Sequence, residues 1–255
     1  MRAILLFPLL SSLLAGQDNV APDASEQRET LARISEVALR YQGQLPDFSC
    51  TQLTSRNRDD NGTGRQWKHQ DTLEETLSYL GGQTSFKLDK INGKRPGWFS
   101  RFSSGLGSQG IFSAALVPTH IFDTRVNTRF NWLRAETLAG KRLYVFSYEV
   151  PPFLTLRQDS KDFVVGFHGV FAADPATGLI LTRHQEMDSP PGYRYPVYVT
   201  DIEYGSVNLS GQEMFLPVKA TETVRDGKRL LRNDVQFVNC RKFSADSTIQ
   251  FGEPK

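Results

Sequence analysis

The 255-residue sequence predicts a mainly β protein of the α+β kind. A large antiparallel, strongly curved sheet or incomplete β-barrel packs over one long N-terminal helix and a short second helix. Three observations lead there. One strong helical stripe precedes a chain that otherwise reads as strand. Turn signals separate successive strands closely, which favours antiparallel pairing of neighbours. A sheet of about nine or ten strands cannot leave its apolar face in water, so it curls over the helices at hand.

Composition narrows the function classes. Charged residues at 23% and 17 Phe exclude a disordered chain. Lys+Arg 30 against Asp+Glu 28 leaves +2, without the long-range pull on phosphate of a nucleic-acid binder. Two cysteines exclude a four-cysteine zinc site or an iron–sulfur cluster held by cysteine alone.

The N-terminus carries the clearest targeting signal. Arg2 is followed by an apolar stretch over positions 3–15 and then by small residues, the order of a secretory signal. That stretch is shorter than the ~20 residues a membrane-spanning helix needs, so residues 1–16 read as a signal peptide. Gln17 stands where a lipoprotein would carry cysteine, so no diacylglycerol is expected. Residues 17–22 read as a linker and 23–255 as a single half-barrel-like domain, secreted or periplasmic, with no transmembrane anchor.

The elements follow in order. Asp23-Ala24-Ser25-Glu26 offers a cap and a first-turn acid, and Leu31, Ile34, Val37, Ala38 and Tyr41 form one helical face before Gly43 and Pro46. Residues 47–55 are rich in strand formers. From Trp67 to Tyr79 the even positions are all polar and the odd ones mixed, a long strand with one wet side. Gly81-Gly82 turns the chain into a strand over 84–90, and Asn92-Gly93 marks the next turn. Residues 94–110 lack a period, and 113–122 reads as a short helix. Strands resume over 129–137, 142–150, 163–172 and 179–187, the last two flanking Asp174-Pro175-Ala176-Thr177-Gly178. Segments 193–204, 214–224 and 229–243 complete the sheet.

In an oxidising compartment Cys50 and Cys240 are more often a bridge than two thiols. A disulfide would fasten the first strand to the last. The alternative is two buried free cysteines packed as small hydrophobes.

The run Val170-Phe171-Ala172-Ala173-Asp174-Pro175-Ala176-Thr177-Gly178-Leu179-Ile180-Leu181-Thr182-Arg183-His184 resembles a hairpin of the LolA-type and LppX-type half-barrel superfamily. Those proteins are exported carriers of lipoproteins and lipids in bacterial envelopes. The order of signal peptide, amphipathic helix, long strands and late D-P-x-T-G hairpin matches as well. Leu45-Pro46-Asp47-Phe48-Ser49-Cys50-Thr51-Gln52, Asp201-Ile202-Glu203-Tyr204-Gly205-Ser206-Val207 and Arg232-Asn233-Asp234-Val235-Gln236-Phe237 carry a closer resemblance, joined by the closing stretch from Cys240 to Ile249. That resemblance is to a family of uncharacterised secreted bacterial proteins, over roughly residues 26–251, and implies no activity.

Other motifs are weaker. Gly105-Leu106-Gly107-Ser108-Gln109-Gly110 matches G-x-G-x-x-G, but a dinucleotide site needs it inside a parallel βαβ unit, so it reads as a loop. A pairing centred on Ala176 would set His168 opposite His184, with Glu186 as a third zinc ligand. The plainer reading is two strand histidines on the wet face, and a one-residue slip removes the facing arrangement. His69, Asp71 and Glu75 share the mixed face of the long strand; they either line a site or overhang the core into solvent. Lys94-Arg95 and Arg225/Lys228-Arg229 read as charged hairpin ends. No catalytic constellation, cofactor or metal site is expected, and no enzyme.

The superfamily resemblance implies a carrier of an apolar ligand, a lipid or acyl chain, held between curved sheet and helices. Trp67, Leu73, Leu77, Tyr79, Phe86 and Leu88 are the expected lining. The alternative is a structural or protein-interaction module of the envelope, with a protein partner and no small ligand.

Overall fold

The computed structural model describes residues 21–97, 111–116, 119–138 and 140–243. The expected signal peptide, most of the linker and the G-x-G-x-x-G segment lie outside these residues.

Asp23 caps α1 (Ala24–Gln44): its carboxylate accepts from the amides of Ser25 and Glu26, both at 2.8 Å. Two orphan donors of the first turn are thereby satisfied, and the same bonds hold the Asp23 carboxyl below its usual range. The expected stripe faces inward. Ile34 and Ala38 are buried, while Leu31, Val37 and Tyr41 are half-buried.

Ten strands form one sheet. β1 (Phe48–Asp59), β2 (Lys68–Leu80) and β3 (Gln83–Ile91) make a first meander. After α2 (Ile111–Leu116) and α3 (Thr119–Phe122), a second meander begins with β4 (Arg129–Leu138), β5 (Lys141–Gln158) and β6 (Lys161–Ala173). It continues through β7 (Ile180–Asp188), β8 (Tyr198–Leu209), β9 (Gln212–Asp226) and β10 (Arg229–Lys242). The order is β3-β2-β1-β10-β9-β8-β7-β6-β5-β4, antiparallel throughout and unclosed.

Boundaries differ from the sequence reading: the single helix expected over 113–122 is two, α2 and α3, and β1 runs on to Asp59. Pro151-Pro152 looks like a stop, yet β5 absorbs both prolines in an irregularity between Val150 and Leu154 and continues to Gln158 beside β6. β8 starts at Tyr198 because the preceding residues form a loop, in which the Ser189 hydroxyl donates to the Tyr195 carbonyl at 2.7 Å.

The sheet order dictates where the helices go. β3 and β4 are the two edges, so the chain between them leaves one edge and arrives at the other. Its helices lie on the concave face. Phe112 of α2 is fully buried, with ring centroids 6.0 Å from Phe48 of β1 and 4.8 Å from Phe237 of β10. Phe122 of α3 stacks on Phe130 of β4 at 5.3 Å and meets Phe171 of β6 edge-on at 5.7 Å. Truncating a phenylalanine in such a site costs about 3–5 kcal/mol. The core accordingly has two lobes, one around Phe48, Leu77, Phe112 and Phe237, the other around Ile34, Phe122, Phe146 and Phe171.

The D-P-x-T-G turn is a seat for α1. Asp174 Oδ1 accepts from the amides of Ala176 at 2.8 Å and Thr177 at 3.3 Å, and Gly178 takes a φ of +74°. Arg33 Nη1 donates to the Pro175 carbonyl, and a Cβ on Gly178 would stand 3.0 Å from Val37. Glycine is needed there twice, for the left-handed backbone and for the close approach of the helix.

Cys50 and Cys240 form a disulfide across the β1–β10 pairing, with Cα atoms 4.0 Å apart. The register slips there between Ser49 and Thr51, and Asn239 takes a φ of +53°. Closing a 190-residue loop restricts the unfolded chain by about 5 kcal/mol in the chain-entropy picture. Replacing both cysteines with alanine is expected to lower the unfolding free energy by up to that amount in urea denaturation. An unchanged midpoint would contradict the bridge as the fastening of the two meanders.

Candidate functional site

Register carries inward-facing side chains across the concave face in rows. One row is polar. Gln185, Thr200, Glu222, Asn233, Arg56 and Asp71 face one another in turn from β7 to β2. Buried polar groups are costly unless bonded, and four of these bond in pairs within the row. Arg56 grips both oxygens of Asp71, with Nε to Oδ1 at 2.6 Å. Asn233 Nδ2 donates to Glu222 Oε2 at 3.1 Å, and the Tyr198 hydroxyl donates to Glu222 Oε1. Burial pushes the Glu222 carboxyl up to about 7; the bonds from Tyr198 and Asn233 pull it down without cancelling the rise.

Tyr148 of β5 reaches this row by lying over Gly169 of β6. Its hydroxyl donates to the His184 carbonyl and to Gln185 Oε1, both at 3.2 Å. A Cβ on Gly169 would come within 2.9 Å of that hydroxyl and 2.0 Å of the His184 carbonyl oxygen, so the crossing needs glycine.

Beside the row lies a cavity of about 260 Å³, between β5–β8 and the crossover helices. Val150, Phe153, Leu154, Leu156, Phe167 and Met187 form apolar walls. Ile111 of α2 and Ile121 of α3 close the helix side, and Gln185, Thr200 and Tyr198 border it with Tyr193. Arg183 is the one charged side chain among the described lining residues; it is 4% exposed, with Phe171 and Ile202 beside it in register. A wider depression of about 520 Å³ lies on the outer face. It is open to solvent, and there Lys219 pairs with Glu203 at 3.4 Å and His184 with Asp201 at 2.7 Å.

The six side chains expected to line a ligand do not meet at the 260 Å³ cavity. Leu73, Leu77 and Tyr79 are buried on β2, the last two in the first core lobe, and Phe86 packs half-buried against that lobe. Leu88 lies half-buried opposite Glu75. Trp67 precedes β2; its Nε1 donates to the Gly64 carbonyl at 3.0 Å and its ring faces the Arg232 guanidinium at 5.7 Å. The crossover fills the β1–β2 side with Phe112, while the cavity opens over β5–β8.

Bulges explain the remaining differences. Ala173 pairs with Ile180 but Ala172 with Thr182, which leaves Leu181 as an extra residue. Counting alternately from Ile180 turns Arg183 outward; the bulge turns it in. The turn register, with Ala173 opposite Ile180, and this slip together set His168 opposite Glu186 and Val170 opposite His184, which corrects the facing-histidine arrangement. Both rings stand on the outer face: His168 Nδ1 lies 2.8 Å from Asp188, and His184 lies 2.7 Å from Asp201 and 3.2 Å from Glu186. Burial alone would lower the His184 pKa, but its bonds to Asp201 and Glu186 outweigh burial and raise it. Among the described residues no group of three His, Cys, Asp or Glu side chains is placed to hold a metal. On β2, Gln70 is the extra residue, so Asp71 and Glu75 face inward whereas His69 is exposed, 3.3 Å from the Ser55 hydroxyl. Glu75 is buried and accepts from Gln52 Nε2 at 3.1 Å. No helix among the described residues is long and apolar enough to cross a membrane.

Glu222 makes stability depend on pH. Its carboxyl has an ordinary value of 4.5 and a folded value of about 7. Below the lower value both states are protonated and the stabilisation is complete. Between the two, the folded protein keeps a proton that the unfolded chain has shed, so stability falls as pH rises, by roughly 3 kcal/mol. Glu222→Gln is expected to remove this decline, its urea midpoint rising progressively above that of the unaltered protein from about pH 5 to about pH 8. A difference that stays constant across that range would contradict a raised carboxyl.

No protein-family model matches the sequence, and no curated protein matches it. Two solved structures are similar in chain course. One is a DUF1329 family protein from Desulfovibrio piger, with TM-score 0.44 and 11% identity, covering 87% of this chain and 95% of that one. The other is a domain from Vibrio parahaemolyticus named for outer membrane lipoprotein sorting, with TM-score 0.41 and 10% identity, covering 88% of this chain and 95% of that one. This chain resembles both in outline and is assigned to neither family.

Proposed function

We propose that this protein is an exported envelope protein that binds and carries an apolar ligand, a lipid or acyl chain, between the curved sheet and the crossover helices. One observation carries the reading, the cavity of about 260 Å³ whose walls over β5–β8 and the crossover helices are largely apolar. Apolar wall facing such a space is covered favourably by an apolar guest.

Export rests on the N-terminal pattern: residues 1–16 as a cleaved signal, 17–22 as a linker and 23–255 as the mature domain. The Cys50–Cys240 disulfide is in keeping with an oxidising compartment. A binding rather than an enzymatic role is supported by the polar row, whose charges are spent on one another, Arg56 on Asp71 and Glu222 on Tyr198 and Asn233.

Native mass spectrometry of the full chain, purified without detergent from a membrane-rich lysate, tests the reading. A reproducible excess mass, removable by organic solvent, is expected. Leu154 is 36% exposed, so Leu154→Glu should fold, and it is expected to lose that excess by placing a charge on the apolar wall. A bare polypeptide that also takes up no added phospholipid or fatty acid would contradict the carrier reading.

A further inference from the structure

We propose that the ligand is a fatty acid, bound head first with its carboxylate at Arg183. This rests on the carrier reading above and names the class of ligand. The argument is the placement of charge along the cavity. Arg183 lies at the closed end, in the row that runs Phe146, Phe171, Arg183, Ile202 across β5 to β8. Ile111 and Ile121 of the crossover helices stand over that end. Moving along the strands away from it, β7 offers Gln185 and then Met187, and β5 offers Val150, then Leu154 and Leu156. The far end is the exposed one, where Leu154 reaches solvent. Charge sits deep and apolar wall leads outward, the reverse of a site that takes a tail first.

The lining contains no carboxylate among the described residues. The acid beyond Tyr198, Glu222, is already bonded by Tyr198 and Asn233. Arg183 keeps its own contacts within the protein, and the proposal needs only its charge and its position on the wall. That charge is felt locally: burial raises the pKa of the Tyr148 and Tyr204 hydroxyls, and Arg183 opposes the rise in both. A cation among apolar side chains favours an anion over a neutral guest, and a guanidinium suits the two oxygens of a carboxylate. An esterified acyl chain lacks that charge.

Isothermal titration of the delipidated full chain with octanoate, methyl octanoate and octanol decides it. Octanoate is expected to bind roughly ten-fold or more tighter than the ester and the alcohol, the scale of a charge-assisted hydrogen bond. Arg183→Gln, its fold checked by circular dichroism, is expected to bring octanoate down to the affinity of the ester and leave octanol unchanged. Should that variant not fold, the preference of the unaltered protein decides alone. Equal binding of all three probes would overturn the head-first carboxylate and leave the carrier reading standing. A preference for octanoate that survives in folded Arg183→Gln would overturn the role of Arg183. Binding of none of the three would overturn the fatty-acid proposal, and the carrier reading would fall with it only if added phospholipid also failed to bind.

Discussion

The pairing of β1 with β10 is the constraint on which the rest of the fold depends. It is the one junction between two meanders that otherwise pair only with their own neighbours. It makes β3 and β4 the edges, so the chain joining them has to leave one edge and arrive at the other. It also brings Cys50 and Cys240 together, 190 residues apart in sequence. Long-range closure of this kind is entropically costly, and the covalent bridge sits where that cost falls. The edges themselves carry charge, Lys87 and Lys90 on β3 and Arg129 and Arg134 on β4, which discourages further strands from adding there.

From the crossover follows the division of the concave face. Where α2 and α3 press down, Phe112 and Phe122 fill two lobes with ring-to-ring contacts. Away from the helices the inward side chains turn polar and satisfy one another in register. At that end the buried Asp59 gathers the 60–67 loop, accepting from the amides of Asn61, Thr63 and Gly64. Burial would raise its carboxyl, but these bonds and one from Gln66 prevail and hold it at about 2. Over β5–β8 the helices fill less, and the cavity remains between the apolar lobe and the polar row.

What the sequence made legible was local. The α1 stripe, its Asp23 cap, the Asp174–Gly178 turn and the ten strands all rest on periodicity or turn chemistry within a few residues. The β1–β10 bridge was legible because two cysteines offer only one intramolecular pairing. What was not legible depends on single extra residues. Gln70 and Leu181 each reverse the alternation across them, and so send His69 out and Arg183 in, while the turn register and the Leu181 slip together move His168 away from His184. The expected lining on β2 and β3 was chosen by alternation alone. Alternation finds the inward face but not which part of that face a helix from elsewhere in the chain will cover. Tyr148 lying over Gly169 was equally hidden, because nothing local marks a glycine whose partner is a hydroxyl on the next strand.

Photo-crosslinking tests the central claim most directly. An octanoate analogue with a diazirine at its far carbon would be activated on the full chain and the labelled peptides sequenced. Head-first binding in the β5–β8 cavity predicts saturable label on Leu154, Leu156 or the Tyr193 loop, at the exposed end of the cavity. Label on Ile111 or Ile121, or on β1–β3, would contradict it.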